Sequence, residues 1–333
     1  INGVSTSTAT FRGELQARGH RVTLVAPAYG SDYTDDGDVV RVTGRPVPTD
    51  PEDRLMYRRR LRAALDGLSD QPFDIVHIQT PFIAHYAGTG FARRRGLPCV
   101  ETYHTFFEEY FHHYVRALPA RATRFLARAF TRRQARAVDL LVVPSSAMRD
   151  RLQQYGVRTP QWVLPTGLTP RDFEIPDPAD FAQRHGLDLE RPVVVHVGRI
   201  AHEKNIGFLV EMLQLVRQRL PNVLMVVAGE GPALAHLRRQ ATKLGLEDNI
   251  RFLGYLSRDG ELQACYALGD VFVFASQTET QGLVLLEAMA AGVPVVSTAF
   301  MGTRDILREG RGALVALDSA ADFAAKVVRV LED

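Results

Sequence analysis

The sequence predicts two doubly wound α/β domains, each a mostly parallel sheet covered on both faces by helices. Three observations predict it. Short β-branched runs alternate with helical runs along nearly the whole chain, the pattern of buried parallel strands joined by crossover helices. A length of 333 residues suits two domains of ordinary size. The stretch from Leu164 to Asp180, with Pro165, Gly167, Pro170, Pro176 and Pro178, reads as a linker. The expected domains are therefore residues 1–166 and 167–333. They are expected to face each other across a cleft, with ligands outside the carboxyl ends of the strands.

Taken in order, the first half predicts strands near 21–26, 39–43, 74–79, 98–104, 140–144 and 161–164. Helices fill 4–18, 54–67, 82–95, 118–137 and 145–155. The second half predicts strands near 192–197, 222–228, 250–254, 271–275, 293–297 and 313–316. Its helices are expected at 205–219, 232–244, 259–268, 283–291 and 319–332. Ile1-Asn2-Gly3-Val4-Ser5 reads as a glycine loop opening a helix with no strand before it. A first strand and a closing terminal helix are therefore expected to lie outside this sequence.

Composition narrows the function classes. Hydrophobic residues make up 46% and charged residues 23%, which places the chain among globular proteins. No run reaches the roughly 18 apolar residues of a membrane span. Cys99 and Cys265 lie in separate halves without neighbours at metal-ligand spacing, so disulfide and zinc readings are poor and a reducing cytosol is the expected setting. Charge is uneven. Residues 1–160 hold 23 arginines, no lysine and 16 carboxylates, a net of +7. The remainder holds 17 basic and 22 acidic residues, a net of −5. A basic half suits an anionic partner, either a nucleic acid or an acidic membrane surface. Arg121, Arg124, Arg128, Arg132 and Arg136 recur at helical spacing beside Phe125, Leu126, Ala129 and Phe130. That is the pattern of a helix lying on an anionic bilayer, and equally of a solvated helix face.

The chemistry concentrates in loops after predicted strands. Ser276 to Gly292 follows an apolar strand and opens a helix, Leu283 to Ala291, that is apolar on every side. Such a helix belongs inside, yet it carries Glu287, an ion that is rarely buried without a partner. Glu279 stands eight positions earlier. Gly282 sits at the helix start, where bare N–H groups can approach an anion. The expectation is one cleft holding two carboxylates for sugar hydroxyls and backbone amides for phosphate. After the run Val193–Val197, Gly198 permits a tight turn, and Arg199 and Lys204 project where a diphosphate could meet both. Gly229 and Gly231 follow another strand, either as room for a nucleotide or as a plain turn. His104 ends a strand in the first half, where it could hold a hydroxyl or move a proton. The mixed aromatic run Phe106 to Tyr114 follows it.

Together these loops resemble the retaining nucleotide-sugar glycosyltransferases of family 4, which have the GT-B fold. The resemblance rests on Asn2-Gly3-Val4-Ser5, Tyr103-His104-Thr105, Gly198-Arg199 with Lys204, Gly229-Glu230-Gly231-Pro232, and Glu279 with Glu287. It implies that Gly3, with Val4 beside it, touches the donor diphosphate from the first domain, and that Arg199 and Lys204 bind it from the second. Glu279 would hold donor-sugar hydroxyls, with the Gly282 and Leu283 amides on phosphate and Gly198, Gly229 and Gly231 lining the donor site. Glu287 would accept from ribose hydroxyls, and His104 would hydrogen-bond near the reacting sugar. Asn-Gly-Val-Ser, Tyr-His-Thr and Thr-Glu-Thr-Gln-Gly are most similar to diacylglycerol α-glucosyltransferases, and related mannosyltransferases share much of this.

The resulting expectation is hexose transfer, with retention, from a nucleoside-diphosphate sugar to a membrane lipid hydroxyl. UDP-glucose is favoured over GDP-mannose. No Asp-x-Asp triplet appears in a strand-end loop, so neither a metal nor another cofactor is expected. The enzyme is expected to be cytoplasmic and peripheral on the inner face of the membrane. The rivals are a nucleotide-sugar epimerase on the same scaffold and a non-catalytic binding protein. A nucleic-acid partner is not expected, because no RNA or DNA module is recognisable.

Overall fold

A computed structural model describes residues 3–30, 35, 37–47, 50–104 and 120–333. Ile1, Asn2, Thr105 and the aromatic run 106–114 lie outside the described residues. The chain divides into two units, Ile1–Thr166 and Gly167–Asp333.

The strands of the first unit are β1 (Leu24–Pro27), β2 (Val39–Val42), β3 (Gly44–Val47), β4 (Asp50–Met56), β5 (Val76–Ile78), β6 (Cys99–Thr102), β7 (Leu140–Val143) and β8 (Gln161–Val163). β5-β6-β7-β8 form a parallel sheet in that order, and β1 pairs with β2 in parallel. Helices Gly3–Ala17, Arg58–Asp66, Ile83–Arg95, Ala120–Ala135 and Ser146–Gln154 intervene. The local signals are ordinary ones. Ser145 caps the last of these helices by accepting from the Met148 amide at 3.2 Å. Gly96, left-handed at φ 64°, ends Ile83–Arg95.

One stretch departs from the sequence reading. A helix was expected from residue 54, but 50–56 is strand β4, paired antiparallel with β3 so that Gly44 opposes Met56. A Cβ on Gly44 would stand 2.5 Å from the Leu55 carbonyl oxygen, so the hairpin closes only because that residue is glycine. Helical periodicity over Arg54 to Met56 lost to this pairing, and the helix begins at Arg58 after an extended Tyr57.

The second unit contributes β9 (Val193–Val197), β10 (Leu224–Ala228), β11 (Ile250–Gly254), β12 (Val271–Phe274), β13 (Val295–Ser297) and β14 (Ala313–Val315). They form one six-stranded sheet ordered β11-β10-β9-β12-β13-β14, parallel throughout. Counted within the unit this is 3-2-1-4-5-6, the doubly wound order whose direction reverses between β9 and β12. Residues of β9, β10 and β12 are buried on both faces. Val194, Leu209, Leu213, Val227, Val273 and Phe323 belong to one core cluster. Phe181, Val195, Tyr266, Phe272 and Leu285 belong to the other.

The proline-rich stretch after Leu164 is more ordered than a linker reading predicts. It holds a 3-10 turn, Pro170–Phe173, and the start of helix Pro178–His185. Asp177 caps that helix and Pro178 occupies its first turn. Prolines that read as breakers here serve as helix starters.

Candidate active site

β9 and β12 are neighbours at the reversal of strand order, so the loops at their carboxyl ends flank the crevice where such sheets bind ligands. After β9 come Gly198 and Arg199, then the 3-10 turn His202–Lys204. This loop is laced to the loop after β10. The Gly198 amide donates to the Ala228 carbonyl (3.0 Å), the Ile200 amide to Glu230 (2.8 Å) and the Ala233 amide to Ile200 (3.0 Å). A Cβ on Gly229 would stand 1.9 Å from the Gly198 oxygen, and one on Gly231 would stand 2.3 Å from the Ile200 oxygen. Both glycines are left without a side chain by the neighbouring loop, so their presence needs no nucleotide to explain it.

The loop after β12 closes on the same place. Lys204 Nζ lies 2.7 Å from Glu279 Oε2, with side chains 22% and 20% exposed. Asn205 Nδ2 donates to the Ala275 carbonyl at 3.4 Å, and Ser276 Oγ donates to the Glu203 carbonyl at 3.4 Å. Two of the sequence-predicted residues, Lys204 and Glu279, therefore meet. Arg199 is half-buried five positions before Lys204. Gly282, left-handed at φ 95°, precedes helix Leu283–Ala290, and Glu279 Cγ lies 3.5 Å from where its Cβ would be. The carboxylate thus lies against the start of that helix, beside the Leu283 turn.

Beneath this loop lies a support that sequence reasoning missed. The Gly302 amide donates to the Glu279 carbonyl at 2.9 Å. A Cβ on Gly302 would fall 2.0 Å from the Thr280 oxygen. Ala299 and Met301 beside it both adopt φ 51°, a left-handed conformation uncommon for such residues. Backbone held in sparsely populated regions concentrates at functional sites. The only sequence signal was the lone glycine in Phe300-Met301-Gly302-Thr303.

Glu287 has different surroundings. It is buried at 5% exposure. Its Oε1 lies 2.8 Å from Arg258 Nη1, and its Oε2 accepts from the Tyr266 hydroxyl at 2.6 Å. Burial, and then the Glu287 charge, push the Tyr266 phenol well above its ordinary pKa, so it stays protonated and donates. Asp172, Ile175 and Gln263 line the same recess. The buried ion that the sequence left unexplained is therefore satisfied inside the protein, by Arg258 and Tyr266, which sequence reasoning did not select. Neither Lys204 nor Arg199 is among the residues lining that recess.

His196, also unselected, is fully buried on β9. Its Nδ1–H donates to the Val273 carbonyl at 2.9 Å, between the rings of Phe272 and Phe274. Burial, foremost, pushes its pKa down to about 4.

In the first unit, His104 follows β6 half-buried, and its Nε2–H donates to Gln79 Oε1 at 2.8 Å. Burial, and then the nearby His77, push its pKa down to about 4, so the ring is neutral at physiological pH. Gly3 opens helix Gly3–Ala17, exposed, with Val4 half-buried beside it. A Cβ on Gly3 would meet nothing within 4 Å, so no steric demand fixes glycine there. Among the described residues no group of three or more His, Cys, Asp or Glu is placed to hold a metal ion.

A parallel sheet of this order, with an ion pair at its switch point and a glycine-led helix beside the carboxylate, defines a nucleotide-type ligand site of the doubly wound class. Comparison with known proteins gives the family. The profile described as Glycosyltransferase Family 4 matches residues 1–171, and that described as Glycosyl transferases group 1 matches residues 178–333. The alpha-monoglucosyldiacylglycerol synthase of Streptococcus pneumoniae is 31% identical over 306 residues, covering 89% of this chain and 68% of that protein. A GDP-mannose-dependent alpha-mannosyltransferase of Mycobacterium tuberculosis is 30% identical over 323 residues, covering 95% of this chain and 80% of that protein. The crystal structure of Anabaena HepE in complex with UDP and glucose superposes with a TM-score of 0.77 at 19% identity, over 100% of this chain and 87% of that one. The chain belongs to glycosyltransferase family 4, with the GT-B fold of two Rossmann-like domains.

Proposed function

We propose that this glycosyltransferase moves a hexose, with retention, from a nucleoside-diphosphate sugar to a hydroxyl of a membrane lipid such as diacylglycerol, with UDP-glucose the favoured donor. The observation that carries this reading is the Lys204–Glu279 pair at 2.7 Å at the switch point of the second sheet. Glu279 would accept from hydroxyls of the transferred sugar. Arg199, Lys204 and the amides at Gly282 and Leu283 would hold the diphosphate.

As the glycosidic bond breaks, negative charge gathers on the leaving diphosphate. Fixed cations and helix-end amides stabilise it most at that moment, which lowers the barrier rather than merely tightening binding. The incoming hydroxyl attacks from the face the diphosphate leaves, and its proton passes to a phosphate oxygen. Charge on the diphosphate is met by protein cations in this scheme, with no metal assigned. Rates unchanged by EDTA would support that assignment, and loss of activity restored by a divalent cation would overturn it.

The lipid acceptor is supported by the named Streptococcus relative and by the helix Ala120–Ala135. Arg121, Arg124, Phe125 and Leu126 are exposed there, Phe125 at 66%. The five-arginine face expected from spacing is only partly available. Arg128 stacks over Tyr155 at 4.9 Å, and Arg132 donates to the Tyr155 carbonyl at 3.1 Å. The other basic clusters are partly committed too. Arg95 donates to the carbonyls of Ser69 and Gln71, and Arg94 reaches Asp66. Membrane attraction is thus assigned to the first turns of that helix, and the enzyme to the inner, cytoplasmic membrane surface. No helix among the described residues is long and apolar enough to cross a bilayer.

The Mycobacterium relative supports a second donor, GDP-mannose. A screen of UDP- and GDP-sugars by thermal shift, followed by transfer of labelled hexose to lipid, tests the whole reading. Stabilisation by one sugar nucleotide with label appearing in lipid supports it. Turnover of donor without any acceptor would indicate an epimerase instead.

A further inference from the structure

Two side-chain contacts join β5 and β6 and their extensions. His77 Nε2 and Thr102 Oγ1 lie 2.7 Å apart. Two residues further along each segment, His104 Nε2 and Gln79 Oε1 lie 2.8 Å apart. In the strands, His77 opposes Val100 and Ile78 opposes Glu101, so the two contacts follow the two-residue repeat of one sheet face. Between them in sequence, Glu101 turns the other way and accepts from His85 Nδ1–H at 2.9 Å, where both side chains are buried. The strand that delivers His104 is therefore fastened by polar contacts on both sides.

An amide oxygen accepts and cannot donate. With Gln79 Oε1 on its Nε2, His104 carries its proton at Nε2, and Nδ1 is the nitrogen with the lone pair. We propose that Gln79 is a positioning residue that fixes the tautomer and ring plane of His104, so that Nδ1 receives a hydrogen bond from a substrate hydroxyl. The proposal rests on the reading above that His104 lies beside the reacting sugar, and it deepens that reading by stating the chemistry His104 offers. A neutral ring with Nε2–H already committed has no proton for a phosphate oxygen. It recognises a hydroxyl, on the transferred hexose or on the acceptor, and leaves the diphosphate to the second unit. His77, the titratable neighbour from β5, acts on the ring in the direction that keeps it neutral.

Imidazole nitrogen NMR on the whole ¹⁵N-labelled chain at neutral pH tests this directly, with the His104 signals assigned by their loss in His104→Gln. The Nε2–H tautomer is expected in the wild type. In Gln79→Leu the two tautomers should mix. The kcat for hexose transfer should then fall roughly 3- to 10-fold, the range a single hydrogen bond covers, at an unchanged unfolding temperature. In Gln79→Glu the carboxylate should draw a second proton onto the ring, giving the imidazolium pattern and a larger fall in kcat. An Nδ1–H tautomer in the wild type, or Gln79→Leu with an unaltered tautomer and wild-type kcat, overturns the proposal. A His104→Ala variant that transfers at the wild-type rate would instead overturn the placement of His104 at the sugar, whatever the NMR shows.

Discussion

Glu279 and Glu287 stand eight residues apart in one motif, yet the protein treats them differently. Glu279 lies in a loop, one-fifth exposed, against one flexible lysine. Glu287 lies inside a helix at 5% exposure, with both oxygens engaged by Arg258 and Tyr266. An ion pair open to water contributes little to stability, whereas breaking a buried one leaves uncompensated groups behind. Glu279 is thus free to act on a ligand at small cost to the fold, while Glu287 helps hold the wall of the site together.

The comparison is broken most readily at Glu279. Glu279→Ala and Arg199→Ala should each lose roughly 100-fold or more in transfer, the scale of removing one preorganised electrostatic group. Their unfolding temperatures should stay within a few degrees of the wild type. Labelled-hexose transfer and thermal unfolding measured together would check both halves. A loss of folding equal to the loss of activity would erase the distinction between the two carboxylates. Glu287→Ala should show the opposite weighting, with stability falling by about 3 kcal/mol, the lower end for a broken buried pair, because Arg258 retains partial access to water. Urea unfolding measures this, and an unchanged midpoint would mean that the Arg258 and Tyr266 contacts are incidental.

A smaller effect separates the sheet from its loops. His196 refuses a proton until pH falls to about 4 in the folded state, whereas an unfolded histidine takes one up near 6.5. Between those values the unfolded chain binds the extra proton, so folding stability should decrease as pH falls from 6.5 towards 4. His104, lowered to about 4 as well, acts in the same sense. Above 6.5 neither contributes any slope. His196→Phe should flatten part of that decline in a series of urea titrations, and an identical slope would remove His196 from the account. The smallest effect is expected at the membrane. Replacing Phe125 and Leu126 together by serine should lower co-sedimentation with anionic vesicles several-fold and leave transfer to detergent-dispersed lipid near normal.

Much of this architecture was legible before any coordinates. The valine-rich runs that became β9, β10 and β12 are buried on both faces, so their composition alone marks them. The hairpin of β3 and β4 was not legible, because its closure depends on the backbone of Gly44 meeting Leu55, a contact no periodicity encodes. For the site, the sequence located Lys204 and Glu279 by their places after strands, and the structure brings those two together. It did not reveal Arg258 and Tyr266, which reach Glu287 from elsewhere in the chain. Nor did it reveal that Gly229 and Gly231 are required by neighbouring carbonyls. Spacing along the chain reports which residues leave a strand together. It is silent on which loop they meet.

The most direct test is calorimetric titration of UDP-glucose, GDP-mannose and the bare nucleoside diphosphates into the wild type and Glu279→Gln. One sugar nucleotide should bind the wild type more tightly than its diphosphate, and Glu279→Gln should lose that advantage while holding the diphosphate as before. Equal binding of the sugar nucleotide by both proteins, or no binding of either sugar nucleotide to the wild type, would contradict a donor gripped by Glu279 and Lys204.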